Sequence, residues 1–287
     1  MGHSVCILLS PEYECAQGGV PETSSFGELC MFKTIGSYVL AGAMVLGAAD
    51  TAMAQRQSPG VSRDTPAQTI NFTFGGFFPK SFDSRADGDV LVANCDEFEG
   101  ACSFFDFDTN GFKGLTFGGE YLIPIGQYIE AGTGISYYKK TVDSRYALLV
   151  ADDPNTPEEE EDEILQDLSM QQVPLSFTVR VLPLGATNPI QPYVGGGINV
   201  SFWSYKEEGE FVDEFSAVFR DTFKDSGTKI LPTILAGIRF ATSGFSFGGE
   251  FRWQTGTAEL DPTVGFLGPE LDLGGYSFQA TFGVRFD

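Results

Sequence analysis

Residues 276–286, YSFQATFGVRF, alternate without a break. Tyr276, Phe278, Ala280, Phe282, Val284 and Phe286 fall on one side, and Ser277, Gln279, Thr281, Gly283 and Arg285 on the other. A period of two is the mark of a β-strand with one apolar and one polar face. Residues 245–254, FSFGGEFRWQ, repeat it, setting Phe245, Phe247, Gly249, Phe251 and Trp253 against Ser246, Gly248, Glu250, Arg252 and Gln254. A soluble sandwich would bury the aromatic face and leave the other in water, where so many Gly and Ser beside isolated Arg and Glu are unusual. A membrane barrel reverses the demand: aromatics meet lipid, and small or polar side chains fill a narrow interior.

Six further stretches carry the same alternation, over residues 69–78, 112–123, 127–138, 172–182, 190–205 and 230–241. Ile70, Phe72 and Phe74 face outward in the first; Leu115, Phe117 and Ile123 in the second; Ile129 and Ile135 in the third, with Tyr128 and Glu130 inward. The fold class predicted is therefore all-β, an eight-stranded antiparallel up-and-down transmembrane β-barrel. About ten residues at roughly 3.3 Å each, tilted near 45°, cross a thin bilayer core. Closure is required, because an open edge in hydrocarbon would strand a row of amides at several kcal/mol each. The connections run long, short, long, short, long, short, long, the asymmetry of outer-membrane barrels with periplasmic turns and extracellular loops.

Two of the long loops read as holding short helices. In loop 2, Thr156 is placed to N-cap a helix with Pro157 first and Glu159 completing a capping box, which makes EEEEDEILQDL an acidic helix. In loop 3, Phe211, Phe215, Phe219 and Phe223 stand four apart, the spacing of a one-sided helix.

The 27 Phe and 35 Gly are both high for an ordinary globular chain and suit aromatic girdles around a crowded interior. Residues 35–49 are apolar but too short for a comfortable helical span. With Met31, Lys33 and the Ala52-Met53-Ala54 site they read as a signal peptide over residues 31–54. Residues 1–30 read as an upstream extension from a misplaced start, residues 55–68 as a flexible periplasmic lead-in with Pro59 and Pro66, and residues 69–287 as the barrel. Cleavage would remove Lys33 and the acids Glu12, Glu14, Glu22, Glu28 and Asp50, leaving 16 basic and 34 acidic residues and a net charge of −18. That charge disfavours nucleic acid as a partner. Cys95 and Cys102 would be the remaining cysteines, and an isolated pair in an exported chain is most simply a disulfide, worth about 2–3 kcal/mol for so short a loop.

Gln171 to Gly185, QQVPLSFTVRVLPLG, and Gln191 to Val200, QPYVGGGINV, resemble the small outer-membrane β-barrel proteins of Gram-negative bacteria, the OmpA/OmpW/OmpX-like group. The likeness covers about residues 69–287, and its motifs are generic. It implies location in the bacterial outer membrane, contact with outer-membrane lipid and lipopolysaccharide, a monomer, and reading of the last strand by the barrel-assembly machinery. The group usually ends on an aromatic residue, whereas this chain ends Phe286-Asp287.

The predicted inward charges are Glu120, Glu130, Arg180, Arg239, Glu250, Arg252 and Arg285, most of them near the short turns. Confined together they must pair, since an unpaired buried ion is heavily penalised. Such a network either fills the interior or, as is proposed for OmpA-like barrels, acts as a gate. Lys80, Lys113, Lys139, Lys140, Lys206 and Lys229 fall at the outer ends of strands, where a collar could meet lipopolysaccharide phosphates or simply snorkel. Asp106, Asp108 and Asn110 imitate half a calcium loop, but Phe117 stands where the bidentate Glu belongs, so a turn is the simpler reading. The acidic run 158–163 reads as a solvated face. His3 is the sole histidine and precedes the leader, which excludes a histidine base from the mature chain. No enzyme, cofactor or metal pattern remains. The expected role is a structural or surface-interaction barrel. The alternative is a small passive channel or a carrier for apolar molecules, hinted at by inward Tyr138, Trp203 and Tyr205.

Overall fold

The computed structural model describes residues 66–94, 97–98, 101–102, 104–151, 162–213 and 217–286. The upstream extension, the leader and nearly all of the lead-in lie outside them, as do Cys95 and hence the geometry of its pairing with Cys102. Eight antiparallel strands form the wall: β1 (Gln68–Pro79), β2 (Gly114–Ile125), β3 (Ile129–Ala151), β4 (Asp162–Val181), β5 (Ile190–Val212), β6 (Val218–Ala241), β7 (Phe245–Gln254) and β8 (Gly275–Phe286). Each pairs with its neighbours in sequence, and β1 pairs with β8 from Gln68↔Phe286 to Pro79↔Gly275, which closes the ring.

The inversion anticipated from alternation is present. Phe72, Phe247, Phe278 and Phe282 stand 58, 60, 56 and 51 % exposed on the outside, while Arg180 and Arg239 are 1 and 3 % exposed inside. A continuous exposed belt of Phe, Ile and Val around a buried ionic interior is stable against hydrocarbon and not against water. The wall therefore spans a membrane. No helix among the described residues is long and apolar enough to cross one.

Strands β3 to β6 run for 23, 20, 23 and 24 residues, about twice the 10 to 12 of the other four. They rise past the apolar belt by about ten residues, roughly 30 Å of chain. Both helices expected in the loops give way to these extensions. Residues 162–170 open β4 and pair with β3 through Leu168↔Val142 and Met170↔Lys140, while residues 152–161 lie outside the described ones. Ile164, Leu168 and Met170 alternate inward, so burial on a sheet face outweighs the local capping signal. Phe211 and Phe219 are cross-strand partners on β5 and β6, with Phe223 on the same face; Phe215 is outside the described residues. Residues four apart share a face on a strand as surely as on a helix, so the spacing could not separate the two.

Along the long strands the alternation changes sign. Within the belt β4 exposes Phe177 and Val179 and buries Ser176, Thr178 and Arg180; above it, Glu163 and Asp167 are exposed and Ile164, Leu168 and Met170 buried. On β5, Asn199 and Ser201 are buried inside the belt, followed on the same face by Trp203, Tyr205 and Phe211. Each side chain keeps the direction that strand parity gives it, and the residue types swap where lipid gives way to water.

The inward face above the belt is covered by outer loop 1, residues 80–113, and outer loop 4, residues 255–274. Val90 and Leu91 of a short helix, α1 (Val90–Asn94), join Phe105, Phe107, Phe112, Leu260, Leu271 and Leu273 against Leu168, Met170, Trp203, Tyr205 and Leu231. Phe77 and Tyr138 form the base of this cap, their rings 4.8 Å apart edge to face. Loop 4 adds a small hairpin, Thr257–Glu259 with Glu270–Asp272, and loop 1 adds the bridge Phe105–Asp106 to β3.

Candidate functional site: an ionic plug beneath an apolar cap

Three carboxylates and three guanidiniums meet in the lower lumen. Register places Glu130 of β3 directly opposite Arg180 of β4, and the curvature of the wall brings in the rest. Arg180 is central: Nη2 lies 2.5 Å from Glu120 Oε2 and 2.9 Å from Glu250 Oε2, and Nη1 lies 3.7 Å from Glu130. Arg239 reaches Glu130 at 2.8 Å, and Arg252 reaches Glu120 at 3.2 Å and also binds Glu250. Equal numbers of opposite charges, nearly all desolvated, are paired with one another.

Neutral side chains complete the cluster, and the sequence reading did not assign them to it. Tyr193 donates to Glu250 at 2.9 Å while its ring lies 4.9 Å below the Arg180 guanidinium. Gln191 accepts from Arg239 Nε at 2.9 Å and donates to the carbonyls of Ala186 and Asn188. Space comes from glycine: a Cβ at Gly237 would fall 2.5 Å from the Tyr193 ring, and one at Gly132 2.9 Å from the Glu120 carboxylate. Arg285 stands at the short-turn rim, donating to the carbonyl of Thr242 at 2.6 Å and of Ala186 at 3.4 Å. Tyr128, expected inward, is 53 % exposed, because it sits in the turn before β3 begins.

Above the plug lies a shelf of amides. Asn199 donates to Gln254 at 2.9 Å, and Gln254 donates to Gln172 at 3.1 Å and to the carbonyl of Leu273 at 2.9 Å. Between shelf and plug is a cavity of about 30 Å³, lined by Thr116, Ser136, Ser176, Arg252, Ser277 and Gln279 among others. That is room for one or two waters.

The cap is tied down by a buried ionic clasp between loops 1 and 4. Arg85 binds Asp89 at 2.9 Å and the carbonyl of Asp272 at 2.9 Å. Asp89 accepts the N–H of Leu91 at 2.8 Å and also that of Asp272. Lys80 binds Asp272 at 2.8 Å, and Gly274 N–H donates to the same carboxylate at 2.7 Å. The clasp escaped notice in the sequence because its members lie about 185 residues apart in irregular segments, where no period marks them. Tyr138, Trp203 and Tyr205 are 3, 5 and 0 % exposed and packed into the cap, which leaves them no open mouth to line.

The six lysines do not share one face. Lys139 and Lys206 have the outward parity of their strands, Lys113 is exposed just before β2 begins, Lys140 and Lys229 have the inward parity, and Lys80 belongs to the clasp. Lys206 pairs with Glu208 on its own strand. Asp108 N-caps a 3-10 turn, Thr109–Phe112, by accepting from Asn110 N–H. Among the described residues no group of three or more His, Cys, Asp or Glu side chains is arranged to hold a metal ion.

No protein-family model matches the chain, and no curated protein matches its sequence. Solved structures similar to it include Ail, the attachment invasion locus protein of Yersinia pestis, in complex with the heparin analogue sucrose octasulfate, at 11 % identity and a TM-score of 0.33 over 77 % of this chain and 100 % of that one. Neisserial surface protein A is similar at 11 % identity and a TM-score of 0.38 over 77 % and 98 %. The N-terminal β-barrel domain of Pseudomonas aeruginosa OprF follows at 12 % and 0.26 over 76 % and 97 %. The architecture here rests on the closed ladder of its own eight strands.

Proposed function

We propose that this chain is a non-enzymatic outer-membrane barrel that works as a closed structural and surface-interaction protein. The observation that carries the reading is a lumen blocked twice, by the ionic plug below and the apolar cap above, with about 30 Å³ between them. A solute path would need both barriers to move, so the passive channel is the weaker reading. A carrier is disfavoured too, since its aromatic residues are already occupied by the cap. What the protein offers its surroundings is the outside of the β3–β6 extensions, a mixed charged surface held rigid by the core behind it. Refolded mature chain in planar bilayers should give no ion current above the lipid baseline between pH 5 and 8, and liposomes carrying it should not swell in small sugars. Steady conductance from the wild-type chain would return the channel reading to first place.

Lipid is the second proposed partner. Lys113, Lys139 and Lys206 project outward just above the belt, where phosphates of lipopolysaccharide would lie, and a lysine near an anionic surface contributes about 1 kcal/mol. Replacing all three with glutamine should weaken lipopolysaccharide binding on the order of a hundredfold, measured by co-purification and by titration into micelles. Unaltered association would leave these lysines as ordinary snorkelling groups.

A further inference from the structure

Among the described residues, Glu207 is the one buried acid of the cap that stands outside the clasp. It lies on β5 above the belt, 4 % exposed. Asn94 Nδ2, at the end of α1, donates to its Oε1 at 2.7 Å, and the Tyr205 hydroxyl donates to the same oxygen at 2.9 Å. Both donors are neutral, and among the described residues no lysine or arginine pairs with it. The charged groups nearby bear on other atoms: the Arg85–Asp89 pair of loop 1 acts on the Tyr205 phenol. From β3, the Tyr146 hydroxyl accepts the N–H of Val212 while its phenol feels Glu207. From β4, Gln166 donates to the carbonyl of Glu210.

We infer that Glu207 is a pH-dependent latch of the cap: neutral, it holds loop 1 shut through Asn94, and ionised, it favours release of loop 1 from β5. The physical reason is that an unpaired carboxylate in an apolar core has lost its water and gained only two neutral donors. Burial accordingly pushes the Glu207 carboxyl up from 4.5 to about 6.

The sign follows from which state holds the proton more tightly. Below pH 4.5 the carboxyl is neutral with the cap shut or open, and the shut state bears no penalty. Between about 4.5 and 6 the shut cap keeps its proton while the open one loses it, so closure weakens as pH rises. Above about 6 the full penalty is present, and opening is about 30-fold more favourable than in acid. The cap is thus tightest in an acidic medium and loosest at neutral pH and above. Its loosening would uncover the amide shelf and the lumen's polar cavity while leaving the ionic plug in place.

The test is hydrogen exchange on the refolded full mature chain in micelles, following peptides from residues 80–112 between pH 4 and 8 with intrinsic exchange rates divided out. The opening constant should rise about 30-fold across that range in the wild type. In Glu207→Gln it should stay flat at the acid-side value, because the amide keeps the contact with Asn94 without titrating. An independent reading on the wild type alone is a carboxyl carbon titration by NMR, with a midpoint near 6 expected for Glu207. A flat wild-type profile, an equal rise in Glu207→Gln, or a midpoint at or below 4.5 would each overturn the latch.

Discussion

Replacing Arg180 with alanine is expected to destabilise the barrel by about 3–5 kcal/mol, the cost of removing one partner from a buried ionic group. Three carboxylates would be left with two guanidiniums, and Glu250 and Glu120 would lose the cation that stands between them. Urea unfolding in micelles, followed by the heat-dependent shift of the folded band on gels, measures the loss directly. Arg180→Lys should recover only part of it, since one ammonium cannot address three carboxylates and also lie flat on the Tyr193 ring. A loss under about 1 kcal/mol in Arg180→Ala would show that water enters and takes over the role of the guanidinium. The same variant bears on gating. Because the cap still closes the outer end and is tightest in acid, neither Arg180→Ala nor Glu130→Ala should pass current singly near pH 4.5; a current in either would make the plug a gate rather than a filling.

Arg85→Ala should have a comparably large effect confined to the cap. Removing it leaves Asp89 buried at 0 % exposure without its cation and takes from the Asp272 carbonyl its guanidinium donor, again about 3–5 kcal/mol, so that loops 1 and 4 come loose from each other. The expected picture is two-part: residues 80–112 and 255–274 lose exchange protection and become open to protease, while the heat-dependent shift of the barrel is preserved. Separation is physical. The wall is held by continuous backbone ladders in a medium that offers no other hydrogen-bond partner, whereas the cap is held by buried side-chain contacts between two loops that lie above the lipid, where water can replace each contact once it opens. Joint loss of both would mean that cap and wall unfold as one unit. Unchanged protection would mean that the apolar core alone keeps the cap shut.

The wall was legible because its environment is uniform. Lipid outside and a narrow lumen inside act on every strand with period two, so YSFQATFGVRF alone displays the rule, and Phe278, Phe282, Arg180 and Arg239 face as that rule requires. The lengths of β3 to β6 were not legible, because the rule reverses halfway along them and a strand whose hydrophobic face changes sides resembles a loop with aromatic residues in it. Phe211, Phe219 and Phe223 show the difficulty: a spacing of four suits both a helix and a strand, and only the ladder with β5 decides between them.

Sequence by itself determined the fold class and the number of strands, since parity acts locally on each residue. Tertiary structure alone decided which acid meets which base, that Arg285 sits at the rim, and that loops 1 and 4 close the outer end through Arg85, Asp89 and Asp272. Those contacts join residues far apart in the chain, and their partners are set by strand register, wall curvature and the shape of an apolar core, none of which any single segment contains.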